Sequence, residues 1–195
     1  LQLGLLYIRH GIEEQKGLKF MPVPELQQFI DCLPFTLTKA QERVIKEIMD
    51  DLQKDRPMNR LVQGDVGSGK TIIAALAMYA AVKNGYQTAM MVPTEILAEQ
   101  HFRSFKELFK GEDINICLLT GSLSKKEKDQ AAENIKSGNV QMVIGTHALI
   151  QENIEFLNLG LVVTDEQHRF GVKQRANLIL KGKMPHVLVM SATPI

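Results

Sequence analysis

The sequence predicts an α/β domain built on a mainly parallel sheet with helices on both faces, preceded by a short helical linker. Two observations carry this. From residue 38 onward, short apolar runs alternate with helical stretches of about ten to fifteen residues, the spacing of βαβ units rather than of hairpins. In addition, Leu161-Val-Val-Thr164 is apolar without alternation, the pattern of a parallel strand covered on both faces.

In chain order, residues 1–16 read as a helix with Leu5, Leu6, Ile8 and Ile12 loosely on one side. Gly17, Pro22 and Pro24 then break the periodicity, so 17–24 reads as a linker, followed by an apolar stretch from Leu26 to Leu33 that stops at Pro34. The division expected is an N-terminal helix and linker over 1–32 and the domain itself over 33–195. Thr38 and Gln41 have the spacing of a capping box, and Val44, Ile48 and Leu52 follow at every fourth position, which predicts a helix over 38–54. Strands are expected at 60–63, 87–92, 114–119, 140–144, 159–164 and 186–190. Helices are expected at 70–83, 94–110 and 124–137, with shorter ones after 146 and 173. Ser124 and Glu127 form a second capping-box pair.

Composition narrows the function classes. With 45% hydrophobic and 23% charged residues over 195 positions, the chain is neither collagen-like, disordered nor a disulfide scaffold. Lys+Arg 23 against Asp+Glu 22 leaves a net charge of +1, so any contact with nucleic acid must be local. Cys32 and Cys117 sit among apolar residues in no metal-ligand spacing and read as buried free thiols of a reducing compartment. The longest apolar run, Ile72 to Val82, is eleven residues, which fits a core helix and not a membrane span. Leu1 to Ile8 lacks the basic leader and cleavage site of a signal peptide. The missing initiator Met and the end just after Ser191-Ala-Thr-Pro194 point to a piece of a longer protein.

Gly64-Asp-Val-Gly67-Ser68-Gly69-Lys70-Thr71 follows a predicted strand and opens a predicted helix. A triphosphate needs several backbone N–H groups turned inward, and glycine permits so tight a wrap. The loop then delivers the phosphates to a helix N-terminus, whose free donors and dipole favour anions. Lys70 supplies a cation to the β- and γ-phosphates, and the Thr71 hydroxyl can ligate Mg²⁺. The second half of such a site is a carboxylate on a neighbouring strand end. Asp165, at the exit of the 159–164 strand, is the expected Mg²⁺ partner, directly or through water. Glu166 is then placed to polarise the attacking water.

Asp165-Glu166-Gln167-His168, with the phosphate loop upstream and Ser191-Ala192-Thr193 downstream, resembles motifs I, II and III of superfamily 2 helicases. The longer strings Pro57 to Thr71 and Asp165 to Val172 resemble the RecG family of bacterial branched-DNA helicases, over about Leu33 to Ile195. The motor of the Mfd family, which couples transcription to repair, is similar but distinguishable. The resemblance implies the first RecA-like lobe of a cytoplasmic, ATP- and Mg²⁺-dependent motor that remodels stalled forks and four-way junctions. It implies a second RecA-like lobe and a DNA-recognising wedge domain as partners within the intact protein.

The resemblance also assigns residue roles. Gln41 matches the glutamine that reads the adenine edge, although capping of the 38–54 helix would also account for it, and Phe35 either packs on the base or belongs to the core. His168, Ser191 and Thr193 match residues that couple the nucleotide site to movement on the strand. Pro93-Thr94, Thr120-Gly121 and Gly145-Thr146-His147 match elements that contact the DNA backbone. Each lies where a strand passes into a helix, so helix capping is the competing explanation. The Lys125-Lys126-Glu127-Lys128 run reads as a solvated helix start.

Two other classes fit less well. A small-molecule kinase would need a basic acceptor-binding lid, and a GTPase would carry an Asn-Lys-x-Asp signature; neither occurs. A nucleotide-gated binding module without turnover would not need Lys70, Asp165 and Glu166 together.

Overall fold

The computed structural model describes residues 17–165 and 171–192. The helix expected over 1–16 lies outside the described residues. Six strands form one all-parallel sheet: β1 (Asn59–Gln63), β2 (Gln87–Met91), β3 (Ile116–Leu119), β4 (Met142–Gly145), β5 (Leu159–Asp165) and β6 (His186–Ser191), in the spatial order β1-β6-β5-β2-β4-β3. Each expected strand is present, with ends moved by at most two residues.

The helices are α1 (Glu25–Asp31), α2 (Lys39–Leu52), α3 (Lys70–Lys83), α4 (Glu95–Leu108), α5 (Lys125–Lys136) and α6 (Val172–Ile179). The capping boxes form as their spacing requires. Thr38 Oγ1 accepts from the Gln41 N–H and Ser124 Oγ from the Glu127 N–H, while the Gln41 and Glu127 side chains reach back. The short helix expected after 146 is a single 3₁₀ turn, His147–Ile150.

The two faces of the sheet are covered by different elements. One hydrophobic core joins α1, α2, α3 and α4 to Met90, Leu161, Val163, Leu188 and Met190. The other joins α5, α6 and the 3₁₀ turn to Ala89, Met91, Val143 and Val162. Residues 90 and 91, or 162 and 163, fall into opposite cores because successive strand side chains point to opposite faces. α3 is apolar all round, and Ile72 to Ala81 are buried without a break, so it is the central helix of its layer.

Residues 17–31 lie against this body. The Gly17 N–H bonds Asp55 O at 2.9 Å and the Phe20 N–H bonds Leu52 O at 2.9 Å. Phe20 stacks on Tyr86 and meets His186 edge-on, with centroids 5.0 and 4.6 Å apart. The Leu26–Leu33 stretch, unassigned from sequence, supplies α1, whose Phe29 stacks on Tyr79 and Phe109. Cys32 corrects an expectation: it is exposed at the C-cap of α1, because its apolar neighbours Ile30 and Leu33 take the inward positions of that turn. Cys117 is partly buried on β3, and burial pushes its thiol up. Among the described residues no helix is long and apolar enough to cross a membrane.

Candidate functional site

Among the described residues, the candidates at strand ends collect along one edge of the sheet, where all six parallel strands finish. The spatial order divides that edge. β1, β6 and β5 carry the phosphate loop, Ser191 and Asp165; β2, β4 and β3 carry Pro93-Thr94, Gly145-Thr146-His147 and Thr120-Gly121.

On the first half, the loop from Gly64 to Gly69 joins β1 to α3. Gly67 and Gly69 have φ of +80° and +79°, a region glycine enters without strain. Gly69 has a second requirement, since a Cβ there would overlap Gln41 Nε2. The Gly64 N–H bonds Ser191 O at 3.2 Å, which ties the start of the loop to the end of β6. Lys70 Nζ lies inside the loop and donates to Gly64 O at 2.7 Å and Asp65 O at 2.8 Å. Gln41 does two things at once: Oε1 accepts the Thr38 N–H at 2.8 Å, and Nε2 donates to Ser68 O at 3.1 Å. Phe35 is 49% exposed, on the segment leading into α2.

Asp165 ends β5 beside Met190 of β6, and Ser191 pairs Gln63 of β1. One strand therefore separates Asp165 from the strand that feeds Thr71, a span of about 10 Å at the usual interstrand spacing. Thr71 and Asp165 share an edge. By the alternation of Val162 and Val163, Asp165 also shares the face covered by α3 and α4. Its carboxylate meets a residue that the sequence analysis did not select: His101 of α4, with Nε2 3.2 Å from Asp165 Oδ2. A signal was available. His101 lies three residues after Ala98 and four before Phe105, both fully buried, so α4 carries a titratable side chain on its core-facing stripe. Glu166, His168 and Thr193 lie outside the described residues.

On the second half, Thr94 caps α4, its hydroxyl accepting from the Leu97 N–H at 3.3 Å. Glu95 joins two turns: its Oε1 accepts the Ser122 N–H at 3.0 Å. Hydrogen bonds from the Ser122 side chain and from the backbone at 122 and 121 hold its carboxyl below the ordinary value, with His147 adding to the effect. Lys128 Nζ donates to Gly121 O at 2.5 Å. Thr120 and Thr146 are each 2% exposed, so these turns present backbone and His147 at the surface. Val92 N–H to Gly145 O and Thr146 N–H to Leu119 O link the three turns through the strand ends.

The loop and acid are chemically suited to a magnesium nucleotide. The Gly67 Cβ position is open, the lysine ammonium sits within the loop, and a hydroxyl and a carboxylate are the hard oxygen ligands that magnesium takes.

The sequence profile of the DEAD/DEAH box helicase family matches residues 38–195. The chain is 57% identical over 198 residues to the ATP-dependent DNA helicase RecG of Aquifex aeolicus, covering all of this chain and 25% of that protein. It is 56% identical over 171 residues to RecG of Bacillus subtilis strain 168, covering 88% of this chain and 25% of that protein. A solved structure of RecG bound to a three-way DNA junction superposes with a TM-score of 0.87 at 49% identity, over all of this chain and 26% of that one. The chain thus spans about a quarter of the length of the relatives it matches.

Proposed function

The chain belongs to the DEAD/DEAH box helicase family, and from that premise we propose that it is the first motor lobe of a cytoplasmic, RecG-like helicase that couples ATP hydrolysis to remodelling of branched DNA. One observation carries the reading: the phosphate loop, Asp165 and Ser191 end three adjacent strands on one edge of a single sheet, while the candidate DNA elements end the other three. A nucleotide and a nucleic-acid strand then bind side by side on one rigid platform.

Each side chain has a role in this scheme. The loop amides from Gly64 to Gly69 and the α3 N-terminus receive the phosphates, and Lys70 exchanges its two loop carbonyls for phosphate oxygens. Thr71 and Asp165 would hold magnesium, which would supply charge neutralisation on the terminal phosphates. Gln41, already held against Ser68 O, faces the base, and Phe35 offers its exposed ring for packing. Glu166 orients the attacking water and takes its proton. His168, Ser191 and Thr193 couple the nucleotide to the strand, with the Gly64–Ser191 bond as one physical link. Pro93, Thr94, Thr120, Gly121, Gly145, Thr146 and His147 form the DNA rim. Its contacts go to phosphates, which gives sequence-independent tracking at a net charge of only +1.

The experiment is to measure ATP hydrolysis by the longer protein with single-stranded, duplex and forked DNA, alongside Lys70→Ala and Glu166→Gln. Turnover stimulated most by forked DNA and abolished in both variants is expected. Normal turnover in Lys70→Ala overturns the assignment of the site.

A further inference from the structure

The edge of the sheet has a seam between β5 and β2, where the nucleotide half meets the DNA half. His101 crosses it. The residue belongs to α4, the helix that follows β2, and its imidazole reaches the carboxylate at the tip of β5, with Nε2 to Asp165 Oδ2 at 3.2 Å. We infer that His101 is a positioning residue for Asp165, fixing that carboxylate in the orientation magnesium requires; the inference rests on the reading of Asp165 as the magnesium-holding acid.

The contact is built rather than incidental. Both side chains are mostly withdrawn from solvent, at 11% and 14% exposure, so the bond is shielded from competing water. The ring is steered by its own helix: Phe105, fully buried one turn further on, meets it edge-on at 74° with centroids 6.4 Å apart. That packing aims Nε2 across the seam. A carboxylate has two oxygens. With Oδ2 accepting from His101, Oδ1 is the oxygen that would meet a cation or its water. Without the donor, the Asp165 side chain has other rotamers open to it, and ordering it again costs affinity each time an ion binds.

The position of His101 along α4 adds a consequence. Thr94, at the DNA rim, caps the same helix seven residues earlier, about 10 Å along its axis. A helix of this length moves as one piece, so the geometry around Asp165 is referenced to the element that meets the strand.

The test uses the longer protein and binding of a fluorescent ADP analogue titrated with Mg²⁺, a readout independent of turnover. His101→Phe keeps an aromatic ring against Phe105 and removes the donor; His101→Gln returns a donor near the place of Nε2. The magnesium concentration for half-maximal binding is expected to rise about 10- to 100-fold in His101→Phe, the usual range for loss of a group that orients a metal ligand. His101→Gln recovers most of it. The thermal midpoint without nucleotide stays near that of the parent in both. An unchanged magnesium dependence in His101→Phe, or equal losses in the two variants, overturns the inference. Asp165→Asn, measured alongside, separates the two levels. If it leaves the magnesium dependence unmoved, the reading of Asp165 itself fails. If Asp165→Asn shifts the dependence and His101→Phe does not, only the role of His101 falls.

Discussion

At position 186 a fully buried imidazole lies between β1 and the segment that precedes α1, its Nδ1 accepting the Met58 N–H at 2.9 Å. Burial pushes its pKa from an ordinary 6.5 down to about 4, with the Leu18 backbone and Asp51 pulling the other way. Between those values the unfolded chain binds a proton that the folded chain refuses. Its contribution is therefore complete above pH 6.5 and lost as pH falls toward 4, amounting to about 3 kcal/mol at most. Urea midpoints measured from pH 7.5 to 4.5 should fall over that window, and His186→Asn, whose Oδ1 can replace Nδ1 as the acceptor, should flatten the profile. An equally steep profile in the variant would assign the slope to other groups. Nothing around His186 in sequence announces this, because Met58 lies 128 residues away.

Among the elements, α2 shows how local and distant demands meet at one side chain. Its capping box was legible because Thr38 and Gln41 settle the geometry within a single turn. The bond from Gln41 Nε2 to Ser68 O, 27 residues away, was not legible from spacing; only the resemblance pointed toward the nucleotide site. The two roles separate in Gln41→Glu. A glutamate still accepts the Thr38 N–H at the N-terminus of α2, where a negative charge is favoured, but it cannot donate to the Ser68 carbonyl. The thermal midpoint of Gln41→Glu should stay within about 2 °C of the parent, since a cap is worth only about 1 kcal/mol even when lost. ATP affinity should drop about tenfold, the worth of one hydrogen bond that the carboxylate can no longer donate to the base. Calorimetry of binding and of unfolding on the same samples checks both halves. α1 was missed for a similar reason. Its seven residues carry too little periodicity to read alone, and the rings of Tyr79 and Phe109 make its inner face worth burying.

At the scale of the whole molecule, the proposed nucleotide cleft has only one wall in this chain. The chain covers about a quarter of its relatives, and the resemblance to superfamily 2 helicases implies a second lobe whose arginine side chains would stabilise charge in the transition state. Such residues are worth roughly 10³–10⁵ in rate in comparable phosphoryl-transfer sites. The 195-residue chain by itself is expected to bind nucleotide weakly and to hydrolyse it barely, with or without DNA. A coupled phosphate-release assay on the isolated chain, with and without forked DNA, checks this; robust DNA-stimulated turnover would refute the division of labour between the lobes. The six-stranded sheet makes a rigid platform of this lobe, so the proposed nucleotide and DNA halves of its edge keep a fixed relation.

The sequence alone determined what depends on neighbours in the chain: the alternation of strand and helix, the capping boxes at Thr38 and Ser124, and the glycine loop opening α3. These are decided within a turn or a strand, where steric limits on the backbone and the period of side chains act directly. Tertiary structure decided the order β1-β6-β5-β2-β4-β3, which sorts the strand ends into two halves, and with it the meeting of His101 and Asp165 across the seam. It also decided the burial of Gln87, whose side chain donates to Ile135 O and Val140 O and accepts the Asn158 N–H. Such contacts join residues tens of positions apart, and packing selects them from many pairings that the local pattern leaves equally open.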